Sequence, residues 1–114
     1  MSKDPNILLQ HILESIEALQ EYLVGVDETE YLSNIEKQDS VERRLQIIGE
    51  AIVQLRWEFK DTYPDIAWAK IAGLRNRLGH EYFDVDHKLI WNTLEKSLPE
   101  FKKQIEILLK KTGA

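Results

Sequence analysis
Between Arg75 and Tyr82 the chain reads Arg-Asn-Arg-Leu-Gly-His-Glu-Tyr, which gathers two guanidinium groups, an imidazole and a phenol. Each type suits one step in phosphodiester chemistry. Arginine presents a rigid fork of donors that matches a phosphate. Histidine is the side chain whose ordinary pKa lets it give and take a proton near neutrality. Tyrosine adds a hydroxyl and a stacking face. Breaking an RNA linkage without a metal needs a base for the attacking 2′-hydroxyl, an acid for the leaving oxygen and a cation for the charge that builds on the phosphate. Arg75 and His80 are therefore the candidate catalytic pair. Asn76 is placed to hold His80 in one tautomer, and Arg77 to add positive field. The competing reading is a polar helix end with solvated charges, since charged side chains are mostly exposed.

These residues close a segment in which Ile71, Leu74 and Leu78 recur at helical spacing, so they belong to a helix beginning near Ile66. Five residues on a regular helix separate Arg75 from His80 by about 140° of rotation. Asn76 and His80, four apart, share a face. Either the helix loosens at Gly79, or a second copy of the chain completes the site. Trp68, early in the same helix, reads as core, with a nucleobase platform as its lesser role.

Three other helices are legible. The first starts at Asp4-Pro5, a good N-cap followed by a proline that suits the first helical position. Leu8, Ile12, Ser15, Leu19, Leu23 and Val26 form its inner face, and His11 falls on that side as a partly buried residue. Gly25 to Glu36 breaks the period and reads as a loop, with Tyr31-Leu32 packing as a short turn. A second helix begins near Asp39, which with Glu42 resembles a capping box. Its stripe is Val41, Leu45, Ile48, Ile52, Leu55 and Phe59, and Ile47, Val53 and Trp57 make a second apolar side. Such a helix is either central or shared with another subunit. Gly49 in its middle implies close helix approach. Arg43 and Glu50, seven apart on one face, are either a surface pair or orient the Arg75 region. After a turn at Asp61 to Asp65, the last helix runs from Asp86 through Ile90, Leu94, Leu98, Phe101, Ile105 and Leu108, with Trp91 beside the stripe and a kink or break at Pro99.

Composition bounds the function. A chain of 114 residues without cysteine is one domain, with neither disulfides nor thiolate zinc sites. His80 and His87 lack carboxylates at ligand spacing, so no metal site is expected. The start lacks a signal-peptide run and no stretch is apolar enough to span a membrane, which points to the cytoplasm. A net charge of −5 argues against a general nucleic-acid coat. The charge is uneven: residues 1–40 hold nine acidic and two basic side chains, 41–80 five and seven, and 81–114 six of each. The basic excess coincides with the Arg/His stretch, as a site for a particular RNA feature requires. The acidic first third is suited to docking a basic partner.

The spacing Arg75-x4-His80-x-Tyr82 resembles the signature of HepT-like toxins, a branch of the HEPN nuclease superfamily. Ser40-Val41-Glu42-Arg43-Arg44-Leu45-Gln46-Ile47-Ile48-Gly49-Glu50-Ala51 is similar to the family's second helix. The stretch from Trp68 to Leu78 resembles its lead-in to the motif, and Phe83-Asp84-Val85-Asp86 with Trp91 resembles the family's segment on the C-terminal side of the motif. The resemblance implies an all-α fold, an up-and-down four-helix bundle over residues 1–114 with a short extra helix and a kinked last one. It implies a homodimer in which paired Arg75 and His80 sets line a cleft, and an endoribonuclease that leaves a 2′,3′-cyclic phosphate on a transfer or messenger RNA without a cofactor. It further implies a toxin of a type VII toxin–antitoxin pair, silenced when an MntA-type minimal nucleotidyltransferase transfers AMP onto Tyr82. The alternative is a non-catalytic helical adaptor that docks the nucleotidyltransferase and only binds nucleotide or RNA.

Overall fold
All four expected helices are present among the described residues, the last of them split in two, and two short ones lie between them. The structure, a computed structural model, describes residues 4–80 and 86–112, and for residues 75–80 the backbone alone. Among those residues, α1 spans Pro5–Tyr22, α2 Glu28–Ser33, α3 Ile35–Gln54, α4 Trp57–Thr62, α5 Trp68–His80, α6 His87–Lys96 and α7 Leu98–Thr112. The described residues contain no strand, and no helix among them is long and apolar enough to cross a membrane. α1 packs against α3 and α7, α3 against α5, and α6 against α7, while α2 bridges α3 and α6.

Side-chain caps set most of the helix starts. Asp4 accepts from the Asn6 amide at 2.9 Å, Asp27 from Glu30 at 2.8 Å, Asn34 from Lys37 at 3.0 Å and Asp86 from Leu89 at 2.9 Å. Each such cap contributes about 1 kcal/mol. Asn34 moves the start of α3 four residues ahead of the expected Asp39, which instead lies exposed in the second turn. The Asp39/Glu42 pair is therefore not a capping box.

The stretch from Gly25 to Glu36 is not a plain loop. Gly25 takes φ 74°, a region that favours glycine, and turns the chain out of α1. Asp27 then caps α2, whose Tyr31 is fully buried. The four acidic or polar residues at 27–30 supply the cap and the solvent side of α2 and leave Tyr31 to face inward.

The α3 stripe is Val41, Leu45, Ile48 and Ile52, all buried, and Gly49 is buried beside it. It ends sooner than the apolar period suggests. Leu55 and Arg56 are both extended (ψ 133° and 147°), so Phe59 lies on α4 and packs on Tyr63 and Trp68 at 5.3 and 6.5 Å. The Lys60 ammonium ties α4 back to α3 by donating to the Ile52 carbonyl at 3.0 Å. His11 is exposed, contrary to expectation, because buried Leu9 and Ile16 swing the inner face of α1 away from it. The expected break near Pro99 occurs at Ser97, which ends α6. Pro99 then sits in the first turn of α7, where a missing N–H costs little.

Candidate functional site
α5 carries the Arg/His stretch, and its first half is firmly seated. Trp68 is 7% exposed, donates its indole N–H to the Tyr63 carbonyl at 3.2 Å and meets Phe101 edge-on at 6.0 Å. Trp68 is thus a core residue and not an exposed platform. Ile71 and Leu74 are buried in the core, with Ile71 beside Phe101 of α7. A Cβ at Gly73 would meet nothing within 4 Å, so this glycine is not required by packing.

Arg75, Asn76, Arg77 and His80 occupy the last two turns of α5. Their side chains, and Tyr82 altogether, lie outside the described residues. The backbone is helical through Gly79 to His80, so Arg75 and His80 keep a separation of about 140° about the axis. The same register sets Arg75 about 40° from buried Ile71 and His80 about 180° from it.

Arg43 and Glu50 are both exposed on α3, and the ion pair found among the described residues is elsewhere, Arg56–Glu58 at 3.1 Å. The neighbouring Arg44 makes the contact between helices: its Nε donates to the Tyr22 hydroxyl at 3.2 Å. Trp57, expected on the second apolar side of one long helix, opens α4 instead and is 70% exposed; Val53 is 56% exposed. That side of α3 is therefore not central in the domain. Ile52, Val53 and Trp57 form one wall of a groove of about 290 Å³, with Trp68, Ala69 and Ala72 of α5 opposite and Lys60 and Asp61 completing it.

A polar cluster that the sequence reading missed lies where the chain enters α6. Tyr31 is tilted over Trp91 at 5.3 Å and meets His87 edge-on at 6.3 Å. The Tyr31 hydroxyl and His87 Nδ1 are buried without a hydrogen-bond partner among the described residues. Burial pushes the Tyr31 hydroxyl pKa far above its ordinary value, and the Glu42 carboxylate adds to the shift. The Glu42 carboxyl is itself raised by burial, pulled back by His87 and raised by Asp39. Gln38 closes the cluster by donating to the Tyr31 carbonyl at 2.9 Å. In sequence its members stand apart, Tyr31 in a short turn, Glu42 in a capping pattern, His87 near His80 and Trp91 beside the last stripe, and no spacing joins them.

An all-helical domain with an Arg/His stretch on its third long helix is the arrangement expected of a HEPN-type protein. The pattern that defines the family described as ribonuclease HepT-like matches residues 12–108. The chain belongs to that family of ribonucleases. It is 43% identical over 105 residues to the "Gamma-glutamylcyclotransferase and putative RNase" of Methanocaldococcus jannaschii, covering 92% of this chain and 47% of that one. The chain thus spans about half the length of that two-part relative. It is 38% identical over 109 residues to a "Putative RNase" of Caldanaerobacter subterraneus subsp. tengcongensis, covering 96% of this chain and 97% of that one. It is 34% identical over 110 residues to the "Probable ribonuclease HepT" of Thermococcus cleftensis, covering 96% and 100%. No solved structure matches the chain.

Proposed function
We propose that this protein is an endoribonuclease whose site is completed by a second copy of the chain, and that it is the toxin of a toxin–antitoxin pair. One His80 removes the proton of the attacking 2′-hydroxyl, and the other protonates the leaving 5′-oxygen. Arg75 holds the non-bridging oxygens as charge builds on them, and Asn76 and Arg77 support the pair. The new O2′–P bond replaces the P–O5′ bond, leaving a 2′,3′-cyclic phosphate and a 5′-hydroxyl. The observation that carries this reading is the register of α5. A helix continuous to His80 turns Arg75 and His80 about 140° apart, so one protomer does not offer both on one face.

Silencing acts on the same site. An MntA-type nucleotidyltransferase partner transfers AMP from ATP onto the Tyr82 hydroxyl, the new O–P bond replacing the bond to pyrophosphate, which leaves with the phenol proton released. The adenylate places bulk and negative charge two residues from His80, where it occupies the cleft and neutralises the cation meant for RNA. Exposed Arg43 and Glu50 on α3 are assigned to orienting this region. Intact mass after co-expression with the nucleotidyltransferase should rise by adenylate-sized steps, and increments that survive Tyr82→Phe would remove Tyr82 from the scheme.

Subunit dilution tests the shared site. Wild-type chain and His80→Ala chain are unfolded together and refolded at equal amounts, and cleavage is measured per wild-type chain. If both His80 side chains serve one site, only pairs of wild-type chains cut, and activity per wild-type chain falls to about half. If each site needs one His80, it stays unchanged and the two-histidine assignment is wrong. His80→Ala alone should lose about 10²–10⁴-fold of the cleavage rate. A His80→Ala protein as active as wild type would end the ribonuclease reading.

A further inference from the structure
We propose that the groove beneath Trp57 is a slot for one unpaired, amine-bearing nucleobase of the RNA, a subsite that rests on the ribonuclease reading above. The chain has three tryptophans, and two of them, Trp68 and Trp91, are 7% and 8% exposed. Trp57 is 70% exposed and stands on a wall of the groove whose other side is formed by Ala69 and Ala72. Side chains as small as Ala69 and Ala72 leave room in the groove for a flat ring beside the Trp57 indole. Stacking on an aromatic side chain is how single-stranded nucleic acid is commonly held, because every base has a π-face.

The polar groups of the groove suit the edge of a base. Asp61 is an acceptor-only group when ionised, and it fits the exocyclic amine of adenine, cytosine or guanine; uracil has none. The Lys60 ammonium is held in place by the Ile52 carbonyl at 3.0 Å, and its remaining protons can serve a ring or carbonyl acceptor. A second copy of this chain is a poorer occupant. A standard interface buries about 800 Å² from each partner, and this face exposes two large apolar side chains, Val53 and Trp57.

The position relative to the candidate catalytic helix agrees with a substrate subsite. Ala69 lines the groove, and the α5 register returns to within about 20° of Ala69 at positions 76 and 80. The groove side of the helix therefore runs on to Asn76 and His80, with His80 about 16 Å further along the axis. A strand with one base in the slot would continue along α5 toward the linkage to be cut. Unpaired bases are also what sequence-selective RNA recognition usually grips.

The test uses the full chain and 2′-O-methyl oligoadenylate, which lacks the attacking hydroxyl and so binds without being cut. Binding should quench the emission of exposed Trp57 while Trp91, outside the groove, stays silent, and Trp57→Phe should remove most of the quench and leave only the share of Trp68, which lines the groove. By anisotropy with a labelled oligonucleotide, Trp57→Phe should keep most of the affinity. Trp57→Ala should weaken it by about 5- to 150-fold, the range of one base–aromatic stack. Oligouridylate should bind more weakly than oligoadenylate, and Asp61→Asn should narrow that gap. Saturable binding without a quench, or full affinity in Trp57→Ala, overturns the slot. So does a Trp57 already shielded from acrylamide in the free protein, with Trp57→Ala lowering the oligomer mass, which would give this face to a second copy. Unmodified RNA separates the two proposals. Cleavage by Trp57→Ala at an unchanged kcat/KM ends the slot and leaves the ribonuclease standing. Binding that depends on Trp57, with no cleavage by wild type, ends the ribonuclease and leaves the slot.

Discussion
Tyr31→Phe should leave the protein as stable as wild type or more so, although Tyr31 is among its largest fully buried side chains. The ring has well-defined work: it packs on Trp91 at 5.3 Å and against His87 at 6.3 Å, and phenylalanine keeps both contacts. The hydroxyl has no partner among the described residues. A buried polar group left unpaired costs about 1–3 kcal/mol, so replacing it by C–H should change stability by between about 0 and +1 kcal/mol once partial relaxation is counted. For a domain of this size, 1 kcal/mol moves Tm by about 4–8 °C. Tyr31→Ala removes the ring as well and should cost about 3–5 kcal/mol. Urea unfolding reads both, provided the m-value is unchanged. The raised Tyr31 pKa sets the sign with pH. The folded state holds that proton more tightly than the unfolded chain, so stability falls as pH rises above the ordinary tyrosine value, and Tyr31→Phe removes that part of the loss. A Tyr31→Phe protein destabilised by more than about 1 kcal/mol would refute the reasoning, because the hydroxyl would then be making a bond worth keeping.

Three further outcomes are expected. Glu42→Gln should flatten the stability profile above the ordinary glutamate range: the Glu42 pKa is raised in the fold, so wild-type stability falls as pH rises from the unfolded value through the folded one, and an unchanged urea-midpoint slope would contradict this. Trp68→Ala should cost about 3–5 kcal/mol in urea unfolding, because it removes a core ring and the anchor at the start of α5. Asp86→Ala should cost about 1 kcal/mol by freeing the Leu89 amide, with faster amide hydrogen exchange confined to the first turn of α6.

The long helices were legible because their apolar periods coincide with what is buried. Leu8, Ile12 and Leu19, then Val41, Leu45, Ile48 and Ile52, then Ile90, Leu94, Leu98, Phe101, Ile105 and Leu108 are all core. Periodicity failed where a helix is too short to have a period. α2 and α4 are six residues each, and each presents one turn inward, through Tyr31 and Phe59. Phe59 misled for a further reason. It continues the α3 spacing in sequence, yet two extended residues at Leu55 and Arg56 intervene, and neither is a glycine or proline that would announce a break. That break also creates the groove, since Trp57 stands at the start of α4 rather than one helical turn beyond Val53 on α3.

The Arg/His stretch was legible as a set of residue types and a spacing, and helix geometry gives that spacing its meaning. Five residues fit no whole number of turns, so a spacing chosen for two groups to meet within one helix would have been three or four. Arg75 with Asn76 and His80 instead divides the end of α5 into two directions. One, at Arg75, lies about 40° from the buried Ile71; the other, through Asn76 and His80, continues the side of α5 that faces the Trp57 groove. Under the roles proposed for Arg75 and His80, a phosphate clamp and a proton-transfer group turned about 140° apart on one helix call for another chain to bring the missing partner to each flank. The composite site and the base slot thus depend on the same property of α5, which stays helical from Trp68 to His80.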